Sequence, residues 1–501
     1  MSHEMRADHS QPFLLPPSME DWVPPDHPVR FIRDFVAALD LKALGFRERP
    51  SEVGRPHYAN DLLLSVWLYG YMERIRSARK LEHACRTHMP LIWLTGMHYP
   101  DHNTLWRFWS AHGKALRGVL RQSVLLARQL GLVGMVVHAL DGTKIAVQSS
   151  PRSALHRSDL EKLHAAIEES IAAMEAAVEA EGACEEPSST LPDALQEAHA
   201  RRAAIAEGLA QLDAHGQKHL MPGETDARMM QQANRTAWAL NAQAVVDDAH
   251  GIVVGADVTN EAADFGQLGP MLDVVEEMAG ATAHTTVADA VYRSAHQEIQ
   301  AHEQGRGVLV PEHGRDKDNG NPYHRSQFEY DAEQDRYTCP EGQVLEYTHT
   351  KPASGNKPEA RIYRCRACKH CPVRSHCTTN KTGRTLRRDA YEEFRAQQRA
   401  HRETPEAKAL MRRRKAIVEP LFGHIKENMG FRRWSARGLA NATVQWSMLC
   451  LAVNLKKIYA RWKEQNGPNR PLPPSPRLAQ RRSHAMHPLM RPTFRQRAHP
   501  A

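Results

Sequence analysis

Residues 131–147 read GLVGMVVHALDGTKIAV, and the fold turns on them. Before Gly131 the apolar residues recur at helical spacing. From Gly131 a β-branched run, VGMVVHAL, takes over and ends in Asp141-Gly142, and TKIAV follows as a second short strand. An Asp-Gly pair behind a strand is most often a hairpin turn. The same position also places a carboxylate at the end of a central strand.

Strand signals return at residues 239–259, ALNAQAVVDDAHGIVVGADVT, where two apolar runs are joined by the turn DDAHG. An amphipathic helix follows from about Phe265 to Met278, with Leu268, Met271, Leu272 and Val275 on one face. HTTVADA then reads as a short strand ending in Asp289, a helix follows Tyr292, and GVLVPEH at 307–313 is a further strand. The order strand, hairpin, helix, strand, helix, strand is the plan of a ribonuclease H-like α/β core, a mixed sheet flanked by helices. Two segments interrupt it. Residues 155–215 switch to long helical runs rich in Ala, Glu and Leu, broken at EEPSSTLP, and predict a helical insertion over about 150–235. Residues from about 315 to 400 are polar, irregular and cysteine-rich, a second insertion. Helical signals resume near Glu403 and run to about Trp462. This predicts a helical N-terminal domain over 1–130, a catalytic domain over 131–462 and a disordered basic tail over 463–501, rich in Pro, Arg and His.

In the first 130 residues, DHPVRFIRDFVAALDL reads as an amphipathic helix. Leu62, Leu63, Val66, Trp67 and Tyr71 continue at helical spacing. PDHNTLWRFW at 100–109 is a turn leading into a helix capped by Asn103 or Thr104. Arg76, Arg79 and Arg107 on these short helices fit a helix-turn-helix-like DNA-binding unit. A plain helical bundle with a solvated charged face accounts for them equally. The chain of 501 residues is 41% hydrophobic and 25% charged, ordinary for a globular protein, with a formal charge of +8 that favours a polyanionic partner. The longest apolar stretch, Leu62–Met72, is too short for a bilayer. No signal peptide is visible, and a cytoplasmic location is expected.

Three acids stand out by position: Asp141 at the end of the first strand, Asp289 at the end of the strand after the first core helix, and Glu419 on a late helix. In a mixed sheet whose first and fourth strands are neighbours, the two aspartates come side by side, and a helix packed at that edge adds the glutamate. Three carboxylates at one point repel unless divalent cations bridge them, and all-oxygen ligation suits Mg²⁺ or Mn²⁺. Two such ions roughly 4 Å apart serve an in-line phosphoryl displacement. Asp247, Asp248 and Asp257 are rival strand-end acids.

The context of the three acids resembles a family. LDGTKIAVQSS at 140–150, ADAVYRS at 288–294 and RRRKAIVEPLFGHIKENMGFRRWSARGL at 412–439 are similar to segments of DDE transposases of bacterial insertion sequences, and the branch they resemble is the one named after insertion sequence eleven-eighty-two. In that branch the first Asp precedes Gly-Thr-Lys, the second lies in Ala-Asp-Ala, and the Glu opens Glu-Pro-x-Phe-Gly. Asp141, Asp289 and Glu419 match. YANDLLLSVWLYGYMERIRSARKLE at 58–82, PDHNTLWRF at 100–108 and NLKKIY at 454–459 extend the resemblance over most of residues 20–460. Two departures stand beside it. Val291 occupies a position that is commonly Gly, and Met411 takes the Tyr place of a Tyr-Arg-Glu-Lys signature whose Arg is Arg414 or Lys415 and whose Lys is Lys426.

The residues of the late helix agree. Lys415, Glu419 and Lys426 recur at spacings of four and seven and share a face, beside an apolar stripe of Val418, Leu421, Phe422 and Ile425. Pro420 requires the helix to restart or kink there. Lys144, Lys415, Lys426, Arg432, Arg433 and Arg437 are expected phosphate contacts. Trp434 is open to two readings, stacking on an unpaired base or burial. The cysteines Cys339, Cys365, Cys368, Cys371 and Cys377 have spacings that fit a four-thiolate structural zinc site with one surplus residue. The resemblance implies Cys339, Cys368, Cys371 and Cys377.

The function these features predict is a transposase that binds the terminal inverted repeats of its element in double-stranded DNA, hydrolyses the ends and joins the freed 3′-hydroxyls to target DNA. It would use two Mg²⁺ or Mn²⁺ ions and work as a homodimer or larger, away from membranes. The rivals are a non-catalytic DNA-binding protein with a zinc module, a nuclease of the same fold, and a relic that has kept the motifs and lost mobility.

Overall fold

The computed structural model describes residues 18–47, 57–150, 154–181, 190–214, 216–221, 223–232, 235–312, 320–354 and 358–466. It is a mixed α/β structure. The first part folds as α1 (Pro28–Ala37), α2 (Asn60–Met72), α3 (Ala78–Thr87), α4 (Met89–Thr95), α5 (His102–Ala111) and α6 (Gly113–Gln129). Pro28 sits at the first turn of α1, where its missing N–H costs nothing, and the His27 ring accepts the Val29 N–H at 3.2 Å. Helix α2 is buried continuously from Leu63 to Met72 and forms the centre of this layer. A Cβ at Gly70 would stand 2.5 Å from Leu81 Cδ2 and 2.7 Å from the Ile75 carbonyl oxygen, so glycine permits the close turn from α2 into α3. Trp67 lies against Trp109 with ring centroids 4.8 Å apart, joining α2 to α5. The cap of α5 is Asp101, which accepts the Thr104 N–H at 2.6 Å, rather than Asn103 or Thr104.

The main sheet begins with β1 (Val137–Ala146). This strand runs unbroken through Asp141 and Gly142, which corrects the expectation of a strand ending at Asp141. Gly142 pairs with Gln243, and a Cβ there would lie 2.4 Å from Gln243 Nε2 and 2.7 Å from Asp264 Oδ1. The glycine therefore serves close approach of side chains across the sheet, not a turn. Next come β2 (Leu155–His156), α7 (Arg157–Glu181), α8 (Thr190–Ala214) and β3 (His219–Leu220). The two helices pack on each other, and the β2–β3 ladder pairs Leu155 with Leu220 at their base.

The remaining strands are β4 (Arg228–Gln232), β5 (Arg235–Asp247), β6 (Val253–Thr259), β7 (Thr285–Val287) and β8 (Val308–Leu309). Strand β5 pairs antiparallel with β1, β4 and β6, while β7 pairs parallel with β1 and with β8. The resulting order is β6-β5-β1-β7-β8, with β4 also on β5. Strand β8 covers only two residues of GVLVPEH, because Pro311 has no N–H to give a ladder.

The DDAHG turn is closed by Asp247. Its carboxylate accepts the N–H groups of Gly134, Met135 and Ala249, each at 3.0 Å, and lies 3.4 Å from His138 Nε2. Helices α9 (Leu268–Ala279), α10 (Ala295–Glu303) and, later, α14 (Leu439–Asn466) flank the sheet. From α14, Asn454 takes both backbone groups of Val253 in β6, its Oδ1 accepting the N–H and its Nδ2 donating to the carbonyl, each at 2.8 Å.

Between Leu309 and Glu392 stands a second, antiparallel sheet of β9 (Glu329–Asp331), β10 (Arg336–Thr338), β11 (Val344–Lys351), β12 (Ala360–Arg364) and β13 (Thr385–Asp389), in the order β13-β12-β11-β10-β9. Its own small core contains Phe328, Tyr337, Leu345, Tyr363 and Leu386. The short α11 (Arg374–Cys377) precedes β13, and α12 (Glu392–Arg402) and α13 (Pro405–Gly423) lead back to the main sheet. There the buried Arg402 meets Glu298 of α10 at 2.9 Å, so α12 is pinned beside β8 by a charge pair shielded from water. Helix α13 passes through Pro420 and changes to a π-helical turn over His424–Asn428. Helix α14 extends four residues into the stretch predicted as tail, and the rest of that stretch lies outside the described residues. No described helix is long and apolar enough to cross a membrane.

Candidate active site

Strands β1 and β7 are parallel neighbours with Ala139 opposite Val287, which brings Asp141 and Asp289, each two residues further on, to the same point. Both carboxylates are held in the same way. Asp141 Oδ1 accepts the N–H of Gly142 at 2.8 Å, and Asp289 Oδ1 accepts that of Ala290 at 2.6 Å. Their Oδ2 atoms converge on one guanidinium: Arg414 of α13 donates from Nη1 to Asp141 at 2.8 Å and from Nη2 to Asp289 at 3.2 Å. The Arg414 side chain is only 7% exposed. Burial pushes the Asp141 carboxyl above its ordinary value, opposed by Arg414 and the Gly142 N–H and reinforced by the neighbouring Asp289 charge.

Glu419 lies on the same helix, five residues and about 7.5 Å further along its axis. It is exposed, with no hydrogen-bond or ion-pair partner among the described residues. Asp141 and Asp289 are thus brought together and Glu419 stands apart. No three His, Cys, Asp or Glu side chains among the described residues are close enough to hold a metal ion. The two aspartates do fit a divalent cation by their chemistry, since both already turn an oxygen to a single buried positive group. The rival acids have other partners. Asp247 is fully buried in its turn, Asp248 pairs with Arg413 at 3.0 Å and Asp257 with Arg117 at 3.4 Å.

The expected phosphate contacts separate into groups. Lys426 reaches the Thr143 hydroxyl, two residues from Asp141 on the same face of β1, and burial lowers its pKa. Lys144 points to the opposite face and pairs with Asp264 at 2.8 Å. Asp264 also accepts from Asn241 and Gln243, and the hydroxyl of the buried Tyr292 donates to Gln243. Lys415, Arg79 and Arg107 are exposed, and Arg437 lies beside the turn at Gly223. Arg76, Arg432 and Arg433 meet in one cleft together with Arg74, Lys80, Trp106 and Phe431. Trp434 is fully buried, its ring 5.4 Å from that of Phe431, which removes it as a stacking platform. Asp264, Tyr292, Trp106 and Lys80 escaped the sequence reading, since their partners are distant along the chain and no local motif marks them.

All five clustered cysteines line one small cavity at the end of the second sheet. Cys339 Sγ accepts the Gln343 N–H at 3.3 Å and Cys368 Sγ accepts the Arg384 N–H at 3.4 Å, bonds that favour thiolate sulfur. Burial pushes the Cys365 thiol up to about 11, with its Cys368 hydrogen bond adding to the rise, and burial also raises Cys377. Gly383 adopts a φ of +97°, and a Cβ there would stand 2.9 Å from Cys368 Cβ, so the chain passes this cavity where only glycine fits. The N–H bonds to sulfur are of the kind that support thiolate ligands, but among the described residues no three of these thiols stand close enough together to hold an ion.

Residues 338–459 match a family model described as Transposase DDE domain, which spans most of the cysteine-bearing sheet, α12, α13 and most of α14. Residues 17–111 match a model described as Transposase domain (DUF772), which covers α1 to α5. No curated protein and no solved structure gives a match. Two transposase-domain matches on one chain support a DDE transposase of insertion-sequence type.

Proposed function

We propose that this protein is the transposase of an insertion sequence of the eleven-eighty-two branch, and that Asp141, Asp289 and Glu419 are its catalytic carboxylates. The observation that carries the reading is the convergence of Asp141 and Asp289 on Arg414 at the junction of two parallel strands. It is supported by the strand order β6-β5-β1-β7-β8, the plan of a ribonuclease H-like core in which the helical hairpin and the cysteine-bearing sheet are insertions.

Asp141 and Asp289 would hold the divalent ions, Mg²⁺ or Mn²⁺, and Glu419 would complete the set. Bound there, the ions supply activation of the attacking oxygen and charge stabilisation at the leaving oxygen. Before they bind, Arg414 neutralises the two carboxylates and keeps them together. Lys426, beside Thr143, holds a positive charge within reach of a phosphate at this point. The substrate is double-stranded DNA carrying the terminal inverted repeats, followed by target DNA, with at least two copies of the chain bringing two ends together. The thiols would hold a structural zinc.

The test is cleavage and joining of labelled DNA bearing the ends of the element, with Mg²⁺, by the native protein and Glu419→Gln. A metal-site carboxylate contributes several kcal/mol of charge stabilisation, so the variant should lose about 10³-fold in both steps. Cleavage without joining by the native protein would identify a nuclease, and binding without cleavage a DNA-binding relic.

A further inference from the structure

The cleft between the α2–α3 junction and residues 430–436 has a volume of about 470 Å³, within the ~300–1,000 Å³ of small-molecule sites. Among the described residues no acid lines it, whereas Arg74, Arg76, Lys80, Arg432 and Arg433 all do. Arg432 alone of these is paired, with the exposed Glu427. Arg76 lies over the Phe431 ring, 5.5 Å from its centroid, and its Nη1 is buried without a hydrogen-bond acceptor. A buried guanidinium donor in that state calls for an anionic oxygen. Trp106, 46% exposed, lines the same cleft as the five cations.

The cleft is fixed relative to the carboxylates. The backbone N–H of Trp434 donates to the Ala146 carbonyl at 2.9 Å, and the backbone of Arg433 forms a bridge with Ala146 at the end of β1. Ala146 is five residues from Asp141, roughly 17 Å along a strand. Cations around a concave wall bind phosphate, and an exposed indole stacks on a base of any sequence. A base inside a duplex has both faces covered by its neighbours. Away from a duplex end, where the terminal pair still shows one face, only an unpaired nucleotide can offer one to Trp106.

We infer that this cleft binds one unpaired nucleotide of the DNA substrate, its base on Trp106 and its phosphate on Arg76 and Arg433. The inference rests on the transposase reading above and adds a strand-opening step near the cleaved end. The test measures fluorescence anisotropy of the full-length protein on two probes, a blunt duplex and the same duplex with several unpaired thymidines at one end. The native protein should bind the forked probe about tenfold more tightly at equal salt, as one base–indole stack provides. Trp106→Ala should bring that ratio to about one, Trp106→Phe should retain most of it, and unchanged melting temperatures would show that both variants fold. An equal affinity of the native protein for the two probes, or an unchanged ratio in Trp106→Ala, overturns the inference while Mg²⁺-dependent cleavage still stands. Failure to bind either probe overturns the inference and the transposase reading together.

Discussion

The carboxylate pair between β1 and β7 and the thiols of the second sheet both gather side chains of metal-ligating types, yet they are kept together by opposite means. Asp141 and Asp289 repel each other and are joined by a side chain from a distant helix, Arg414. The five cysteines surround a small cavity packed against Phe328, Leu345 and Tyr363, with backbone N–H groups directed at two of the sulfurs. A guanidinium can be withdrawn when a better cation arrives, whereas a thiol cluster built into a small core stays assembled only if that core is intact. On the proposed function, the first arrangement would suit ions that come and go with substrate, the second an ion that remains.

The largest expected effect tests the second half of this contrast. Structural zinc binding is worth about 10–16 kcal/mol in small sites. Chelation, or Cys368→Ser, should therefore abolish amide-exchange protection across β9–β13 while leaving β1 and β5 protected, with one zinc released per chain. Retained protection in the second sheet after chelation would mean that the thiols serve packing alone.

A next, smaller effect separates a structural acid from the proposed metal-binding pair on the same sheet. Burial acts to raise the Asp247 pKa, but the His138 contact and the backbone N–H bonds outweigh it and leave the carboxyl below its ordinary value. Stability from Asp247 is thus present above the unfolded pKa, about 3.9, and is lost as pH falls through the lower folded value. Asp247→Ala should cost about 3–5 kcal/mol at pH 7, measured by thermal melting, and should weaken the acid-side fall in stability. A neutral substitution would erase the distinction drawn between Asp247 and Asp141.

The smallest effect concerns Arg414. Removing its competition in Arg414→Met should tighten Mn²⁺ binding in the absence of DNA about tenfold, equivalent to one charged hydrogen bond, when free Mn²⁺ is followed by electron paramagnetic resonance. The metal-free variant should also melt lower and recover more on adding Mn²⁺. Equal affinities would show that Arg414 does not compete with the metal.

The mixed α/β character, the DDAHG hairpin and the positions of Asp141 and Asp289 beside each other could be inferred from residue patterns, because each depends on local alternation or on strand order. The Asp141-Gly142 pair read as a turn or a strand end, and only Gln243 and Asp264 across the sheet show that the glycine serves close approach. Lys144 reads as a phosphate contact, and no local pattern showed that the loop carrying Asp264 places a carboxylate 2.8 Å from it. Helical spacing grouped Lys415 with Glu419 and Lys426, yet the residue that meets the aspartates is Arg414, one step round the helix. No periodicity reveals which turn of a helix faces a sheet edge. Trp106 and Trp434 are both tryptophans in basic surroundings, and only tertiary packing buries one and exposes the other.

Asn454 has a consequence for assembly. By occupying both the donor and the acceptor of Val253, its amide leaves no hydrogen-bonding vacancy there for a strand of another molecule. A second copy of the chain cannot add to this point of β6 by lengthening the sheet. Any contact with another molecule at Val253 would have to be made by side chains, which come apart more readily than a shared ladder of backbone bonds.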